Sequence, residues 1–330
     1  YEMLAEFKPV HVIELPNCQN ETGIQMYRQE LIKFKKLLEK KFEVTITEEA
    51  IRRQIHIRNQ IQKALYRLQY VMANDPAPEY GLNIVNTVYG SGFHMNVEGL
   101  ADELNAVTDK IEKEYAEGKN IGKRPRILVT GSPSGGAALK VVRAIENNGG
   151  VVVCFENCAG IKPARCHVDA GANDILSAIA DAYLTIGCAV MTPNRRRFDM
   201  VPALIEEFHA DAVLDIALSS CHTYLIEGRS LRELCRSLGG PLVYWATMEP
   251  VDGEDRARIE NHLRDREGWG FETLEAARDL PAAFDRLPAD ATVLFDSATA
   301  LLANEMFRPD GTMDKDAGAR SAQELLALAR

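Results

Sequence analysis

The chain has 330 residues, of which 46% are hydrophobic and 26% are charged. These proportions are typical of a globular protein, and the length is sufficient for two or three domains. The formal net charge of −10 argues against a general nucleic-acid-binding protein, which needs a basic surface. No apolar run approaches the roughly 20 residues that a membrane-spanning helix requires. We therefore expect neither nucleic acid nor a membrane as a partner.

The first residues and the cysteine content indicate the cellular compartment in which the protein is expected. The first residues, Tyr1 to Glu6, contain neither the basic nor the apolar region of a secretion signal. They have the pattern of a helix interior and no initiator methionine, which predicts a chain truncated at its N-terminus. An odd number of cysteines favours reduced thiols in the cytoplasm, some as metal ligands and others as core residues. The seven are Cys18, Cys154, Cys158, Cys166, Cys188, Cys221 and Cys235.

Residues 1–122 are predicted to be mainly helical. A strand is expected at 10–15, where Pro16 ends it. Apolar residues at three- and four-residue spacing then predict three amphipathic helices whose apolar faces pack in a core. These helices are expected over about 24–42, 47–72 and 97–115. The polar, glycine-bearing segment 117–125 predicts a domain boundary.

From residue 126 onwards, strands alternate with helices, which predicts parallel sheet with right-handed crossovers. We expect an α/β fold with a Rossmann- or flavodoxin-like lobe over 123–240, its helices on both faces, and a partial α/β segment over 241–330. The predicted strands are 126–130, 151–156, 188–192, 212–218, 241–247, 271–275 and 292–296. The predicted helices are 136–148, 173–186, 198–209, 222–237, 254–266, 299–306 and 320–329.

A glycine-rich loop, Gly-Ser-Pro-Ser-Gly-Gly at 131–136, lies between a predicted strand and a predicted helix. Its glycines would let a ligand approach the backbone, and the following helix N-terminus can receive an anion. It is not a Walker A loop, because no Gly-Lys-Ser/Thr follows, and it is not a Gly-x-Gly-x-x-Gly fingerprint. The spacing fits a tight turn and a cofactor loop equally well. The candidate cofactor-binding residues here are Gly131, Ser132 and Gly135.

Two cysteines stand where predicted strands end. Cys158 follows the strand 151–156, and Cys221 follows the strand 212–218. The carboxyl ends of neighbouring parallel strands share one crevice, so the two thiols could meet there. Iron–sulfur clusters are held by several cysteine thiolates. Buried free cysteines are common, so the spacing alone favours free thiols over ligands. Cys154, which lies within its strand, is interpreted as a core residue.

Residues 1–240 resemble the 2-hydroxyacyl-CoA dehydratase / benzoyl-CoA reductase family, most closely its double-cubane-cluster branch. The resemblance lies in residues 1–16, in Pro-Arg-Ile-Leu-Val-Thr-Gly (125–131), in 140–162 with Val-Val-Val-Cys-Phe-Glu-Asn-Cys, and in Cys-His-Thr-Tyr-Leu-Ile-Glu (221–227). It implies two α/β lobes with an iron–sulfur cluster, 4Fe-4S or double-cubane, between them. Residues 1–122 would then be a helical remnant of the first lobe together with connecting helices. It also implies Cys158 and Cys221 as cluster ligands and a homodimer. An ATP-dependent activator protein would deliver low-potential electrons, and the substrate would be an acyl-CoA or another small molecule.

Two departures from that family bear on activity. Ser132 stands where relatives often carry cysteine in a Gly-Cys-Pro loop. The family's first lobe also contributes ligand cysteines upstream of the segment where this chain begins. These departures predict that the chain alone binds a cluster weakly or not at all, and they leave an inactive α/β scaffold as an alternative.

A second resemblance, to the adenosylcobinamide kinase / cobinamide-phosphate guanylyltransferase family of cobalamin biosynthesis, begins near Gly239. It lies in residues 239–248, 255–266 and 293–307. It implies that His262 accepts GMP from GTP, and that Asp296 lies near Mg²⁺ and the phosphates. A neutral imidazole is a suitable nucleophile near pH 7. The family begins with a P-loop that this sequence lacks, so nucleotidyl transfer is an alternative function, and His262 is otherwise a surface residue of a charged helix.

Overall fold

The computed structural model describes residues 1–133, 135–218, 221–237, 242–250, 253–265, 267, 270–288, 291–308 and 310–328. It contains two parallel three-stranded sheets surrounded by helices, which confirms the predicted α/β fold class. Among the helices described, none is long and apolar enough to span a bilayer.

The first part of the chain is helical, and its long helices begin at capped residues. The helices are α1 (Glu2–Ala5), α2 (Glu21–Phe42), α3 (Glu48–Tyr70), α4 (Gly81–Ser91) and α5 (Val97–Ala116). The side chain of Asn20 accepts a hydrogen bond from the Gly23 amide, and that of Thr47 accepts one from the Ala50 amide. Such caps satisfy backbone donors that have no partner inside the helix. The three predicted helices are therefore confirmed as α2, α3 and α5.

Two features of this part differ from the prediction. The strand expected at 10–15 is wrong, since that segment is irregular and His11 instead stacks on Phe34 of α2, with 5.7 Å between ring centroids. Helix α4 was not predicted. It depends on distant residues, because the buried Glu146 carboxylate accepts hydrogen bonds from the amide of Gly81 at 2.7 Å and from that of Leu82 at 3.1 Å.

The first sheet has the order β2-β1-β3 and consists of β1 (Arg126–Gly131), β2 (Val151–Glu156) and β3 (Ala212–Ile216). All residues of β1 and β2 are buried, which explains their continuous apolar runs. The connecting helices are α6 (Gly136–Asn147), α7 (Ile161–Ala164), α8 (Ile175–Leu184), α9 (Arg195–Glu207) and α10 (His222–Ser237). In the sheet register, Thr130 is aligned with Glu156 on one side and with Asp215 on the other.

The strand predicted at 188–192 is wrong. Residues 189–193 form turns and bends, and the Met191 amide donates to the Cys188 carbonyl at 3.0 Å. The Thr192 amide donates to the Asn17 carbonyl at 2.8 Å, so the backbone of this apolar run is bonded outside the sheet. The turn packs on α9, since a Cβ built on Gly187 would lie 3.1 Å from the Arg197 backbone.

Arg126 fixes the start of the first sheet against the helical part. Its guanidinium is buried and donates to the carbonyls of Met72 at 2.7 Å and Asn74 at 2.9 Å. It also donates to the Phe208 carbonyl at 2.8 Å. A charged group is tolerated in such a place only when its donors are satisfied, as they are here by backbone carbonyls.

The second sheet has the order β5-β4-β6 and consists of β4 (Leu242–Ala246), β5 (Glu272–Glu275) and β6 (Thr292–Asp296). Trp245 of β4 is fully buried at its centre. The helices are α11 (Gly253–Asp265), α12 (Ala298–Met306) and α13 (Ala317–Leu328), and α13 also packs against α6 of the first lobe. The boundary expected at 122–123 lies in the loop between α5 and β1. The boundary expected at 240–241 lies outside the described residues.

Candidate functional site

Five charged side chains gather at the carboxyl ends of the first sheet. We call them the charge cluster: Glu156, Lys162, Arg197, Asp215 and Glu227. The register brings Glu156 and Asp215 to either side of Thr130, while Lys162 comes from α7, Arg197 from α9 and Glu227 from α10. The sequence therefore folds so that five separate elements meet at the edge where parallel sheets place their ligand sites.

Glu156 is fully buried and is paired with both cations of the cluster. Its Oε1 lies 2.7 Å from Lys162 Nζ, and its Oε2 accepts a hydrogen bond from Arg197 Nε at 3.3 Å. The Thr130 hydroxyl also donates to Oε2. The side chains of Glu156 and Lys162 have no exposed surface, so each charge depends on the other for compensation.

Arg197 joins the remaining acids to Glu156. Its Nη1 is hydrogen-bonded to Glu227, its Nη2 donates to Thr130 Oγ1 at 2.7 Å, and Nη2 lies 3.6 Å from Asp215 Oδ1. Burial alone would lower the pKa of Arg197, but the surrounding carboxylates outweigh that effect and raise it. The guanidinium is therefore a permanent positive charge in the interior.

Tyr224 of α10 covers both cations. Its ring centroid lies 5.0 Å from the Arg197 guanidinium carbon and 5.9 Å from Lys162 Nζ. The residue is 5% exposed, and its hydroxyl has no hydrogen-bond partner among the described residues. Burial, followed by the charges of Cys158 and other neighbours, raises the pKa of Tyr224 far above its ordinary value. The hydroxyl therefore stays protonated.

Cys158 follows β2, whose last residue is Glu156 of the charge cluster, and the residue is exposed. Its thiol is nevertheless partly shielded from water, which raises the pKa of Cys158; the charge of Lys162 opposes that rise and the charge of Cys188 adds to it. Both sulfur atoms also act on the Tyr224 hydroxyl. The structure thus brings Cys158 near a cysteine that the sequence analysis had placed in a strand and had not considered as a site residue.

Cys221 directly precedes α10, and the pKa of its thiol is shifted in the opposite direction to that of Cys158. The Tyr224 amide donates to its sulfur, Thr223 Oγ1 lies 3.7 Å away, and the Ser132 hydroxyl contacts it as well. Together these hydrogen bonds lower the pKa of Cys221. Thiolates are stabilised in this way at the N-termini of helices. Ser132 is buried and also accepts a hydrogen bond from the Leu218 amide at 3.1 Å.

The glycines of the loop have different environments. Gly131 has φ of +104°, and a Cβ there would lie 2.3 Å from the Ile216 carbonyl oxygen. Close packing between β1 and β3 therefore accounts for this glycine. Gly135 is exposed, and a Cβ built on it would meet no atom within 4 Å. Ser134 lies outside the described residues, so the predicted loop is seen only in part.

Other cysteines are core residues. Cys154 is buried in the main hydrophobic cluster, as predicted, and Cys166 is also buried. Burial raises the pKa of both thiols. Within the part of the chain that the structure describes, no group of three or more His, Cys, Asp or Glu side chains could hold a metal ion.

The residues predicted in the last part of the chain are at the surface. His262 is exposed on α11, and Asp296 is exposed at the carboxyl end of β6. The Tyr244 hydroxyl donates to the Asp296 carboxylate. Ser297 follows and caps α12 by accepting a hydrogen bond from the Ala300 amide at 3.1 Å.

Comparison with known proteins places the first lobe in a family. Residues 1–263 match the family model described as 2-hydroxyglutaryl-CoA dehydratase, D-component. The chain belongs to this family. The resemblance predicted from residues 1–240 is confirmed, and the thiols and charge cluster lie within the matched region.

A protein of Escherichia coli is similar to most of this chain. Over 238 residues the chain is 40% identical to the protein of Escherichia coli (strain K12) named "Putative dehydratase subunit YjiM". The match covers 72% of this chain and 62% of the relative, so the chain spans less than two thirds of that protein.

The last part of the chain matches another family model. Residues 229–330 match the model described as cobinamide kinase / cobinamide phosphate guanyltransferase, which confirms the second resemblance. The two matches overlap over residues 229–263, a range that includes β4 and most of α11.

We predict that Arg197→Met lowers the free energy of unfolding by about 3–5 kcal/mol, because it leaves Glu156 and Glu227 buried without their shared cation. Urea denaturation of both proteins measures this difference. Arg195→Met is the matched control, since Arg195 is exposed on the same helix and its replacement should change stability by less than about 0.5 kcal/mol. Equal losses in the two variants would contradict the prediction.

We also predict that Cys221 is alkylated at lower pH than Cys158. The thiolate is the reactive form, so a lowered pKa moves the rise in rate to lower pH and a raised pKa moves it to higher pH. Iodoacetamide labelling over a pH series, read by peptide mass spectrometry, measures both profiles. Ser132→Ala should shift the Cys221 profile upward and leave that of Cys158 in place. Coincident profiles in the unmodified protein would refute the assignment.

Proposed function

We propose that this chain is the sulfur-bearing part of a 2-hydroxyacyl-CoA dehydratase-type protein, which binds an iron–sulfur cluster at the carboxyl edge of its first sheet. The observation that carries the proposal is the position of Cys158 and Cys221 in a dehydratase-family lobe. Cys158 follows β2, which ends in Glu156 of the charge cluster, and Cys221 directly precedes α10, whose Tyr224 covers Lys162 and Arg197. Acyl thioesters are the proposed substrates. A homodimer and an ATP-dependent activator protein are the proposed partners, as the family resemblance implies.

Cysteine thiolates are suitable ligands for such a cluster, but the described residues provide too few of them to complete one. Thiolates are the usual ligands of iron–sulfur clusters, and Cys221 already has a lowered pKa. No described group of three ligands converges, however, so the remaining ligands have to come from outside these residues. A second copy of the chain or the additional length present in its relative could supply them. When bound, such a cluster supplies one-electron transfer at low potential.

The chain's own residues would prepare this edge in three ways. Lys162 places positive charge near Cys158 and so favours its anionic form. Ser132 and the Tyr224 amide orient and stabilise Cys221. Glu156 and Glu227 hold the two cations in place, which keeps the edge rigid.

Anaerobic reconstitution with iron and sulfide tests this proposal. We expect a brown protein with broad visible absorption, and we expect Cys158→Ser and Cys221→Ser to lower the bound iron by more than half. Cys166→Ala is the control, because Cys166 is buried in a hydrophobic cluster with Ile55 and Val168. A colourless, iron-free protein, or equal iron in all variants, would reject the proposal.

A second candidate function is nucleotidyl transfer through His262, favoured by the family match over residues 229–330. His262 is exposed and could accept GMP, while Asp296 and Tyr244 lie together at the end of the second sheet. The sequence has no P-loop to hold the phosphates of GTP and its Mg²⁺. If this function is intact, it must therefore use another phosphate-binding arrangement.

Incubation of the protein with labelled GTP tests this second candidate function. We expect a His262-dependent function to leave labelled GMP on the protein in a phosphoramidate linkage that is stable to base and labile to acid. His262→Ala should abolish the label, and His56→Ala, an exposed histidine on α3, should not. The absence of label on the unmodified protein would exclude the candidate.

A further inference from the structure

Three buried polar side chains in and beside the charge cluster have hydrogen-bonding capacity that the described residues leave unused. Tyr224, Asn194 and Lys162 are each at most 5% exposed. The Tyr224 hydroxyl and Asn194 Oδ1 have no hydrogen-bond partner within that part of the chain. Lys162 Nζ is paired with Glu156 at 2.7 Å, which leaves N–H donors over from the three of an ammonium. Buried polar groups are normally satisfied, so these three require an explanation.

Direct contacts bring the three side chains into one neighbourhood. The Tyr224 ring centroid lies 5.9 Å from Lys162 Nζ and 5.0 Å from the Arg197 guanidinium carbon. Tyr224 and Glu227 are three residues apart in α10 and therefore share one face of that helix. Glu227 accepts a hydrogen bond from Asn194 Nδ2 at 2.5 Å and another from Arg197. Unused donors from Tyr224 and Lys162 thus lie in the same region as an unused acceptor from Asn194.

The charges of the cluster indicate what kind of group these atoms bind. Its three carboxylates and two cations leave one excess negative charge, so an anionic group would be repelled. A cationic group would meet Lys162 and Arg197, which lie against the Tyr224 ring. A neutral alcohol hydroxyl matches the set, because it both accepts and donates hydrogen bonds. The Asp215 side chain is 20% exposed, so the cluster can be reached from the edge of the sheet.

We propose that Tyr224, Lys162 and Asn194 bind the hydroxyl group of a 2-hydroxyacyl thioester, with Tyr224 as a specificity-determining residue. The hydroxyl oxygen accepts hydrogen bonds from Tyr224 and Lys162, and the hydroxyl donates its own to Asn194 Oδ1. This inference rests on the proposed function in that the substrate is an acyl thioester, and it adds the residues that select a hydroxylated one. A site built to bond a hydroxyl rejects the analogue that lacks it, because buried polar groups then stay unpaired.

Binding of two thioesters that differ by one hydroxyl tests the proposal without turnover. Isothermal titration of the full chain compares lactoyl-CoA with propionyl-CoA. We expect the unmodified protein to bind lactoyl-CoA roughly tenfold more tightly than propionyl-CoA. Tyr224→Phe keeps the ring over the two cations and removes its hydroxyl. This variant should bind lactoyl-CoA roughly five- to tenfold more weakly and propionyl-CoA with unchanged affinity.

Tyr183→Phe is the matched control, since Tyr183 is exposed and packs edge-on against Tyr27. Its affinities for both thioesters should equal those of the unmodified protein. The propionyl-CoA affinity of Tyr224→Phe shows whether that variant is folded. If it is not, the preference of the unmodified protein decides the question by itself.

Equal affinity of the unmodified protein for the two thioesters would overturn the proposal, since the three side chains would then bind water only. A preference for lactoyl-CoA that persists undiminished in Tyr224→Phe would overturn it as well. If neither thioester binds, the inference and the acyl-thioester substrate class are both rejected. Iron analysis separates these results from the proposed cofactor. An iron-free protein that prefers lactoyl-CoA through Tyr224 would reject the iron–sulfur cluster and retain the inference, whereas bound iron with equal affinities would reject the inference alone.

Discussion

The structure of the first lobe depends on one buried carboxylate, that of Glu156, which is paired with two cations. Removing three charges from water costs several kcal/mol for each, and only close pairing with full hydrogen bonding offsets that cost. Lys162 at 2.7 Å and Arg197 at 3.3 Å supply the pairing. Because the three residues come from β2, α7 and α9, these elements cannot shift independently without exposing a buried charge.

This constraint explains how two thiols at one edge of the sheet can have pKa values shifted in opposite directions. Cys158 follows β2 within a short loop, and a Cβ on Gly160 in that loop would lie 2.0 Å from the Phe155 carbonyl oxygen. The loop is thus packed directly on the strand that ends in Glu156. Cys221 instead has the amide of Tyr224 directed at its sulfur. Burial dominates at one thiol and hydrogen bonding at the other, so their acidities diverge within one edge.

The sequence was informative wherever local pattern determines structure. The apolar runs 126–130 and 151–156 are strands because both faces of the sheet are covered, and the spacing in 222–237 is that of a helix. The run 188–192 is equally apolar but is bonded to a turn and to Asn17. Hydrogen bonds to distant segments leave no local signature, and the same reason explains the error at 10–15.

The candidate site could be predicted only in outline. Cysteines after predicted strands pointed to the correct edge, because topology alone brings strand ends together. Cys188 was missed since it was placed inside a strand, and no periodicity indicates that Glu156 would meet Arg197 across 41 residues. A glutamate that ends an otherwise apolar strand was the one available signal. The residues of the second segment depended entirely on resemblance.

The position of β4 affects whether the two family-matched parts of the chain can be separated. This strand lies within both family matches, yet within the described part of the chain it pairs with β5 and β6 alone, and α13 returns to pack on α6. A Cβ on Gly150, just before β2, would lie 3.3 Å from Leu326 Cδ2 of that last helix. The last helix of the chain therefore covers part of the dehydratase-like half. Cutting the chain between the two family matches would remove α13 and expose the surface of α6 that it covers.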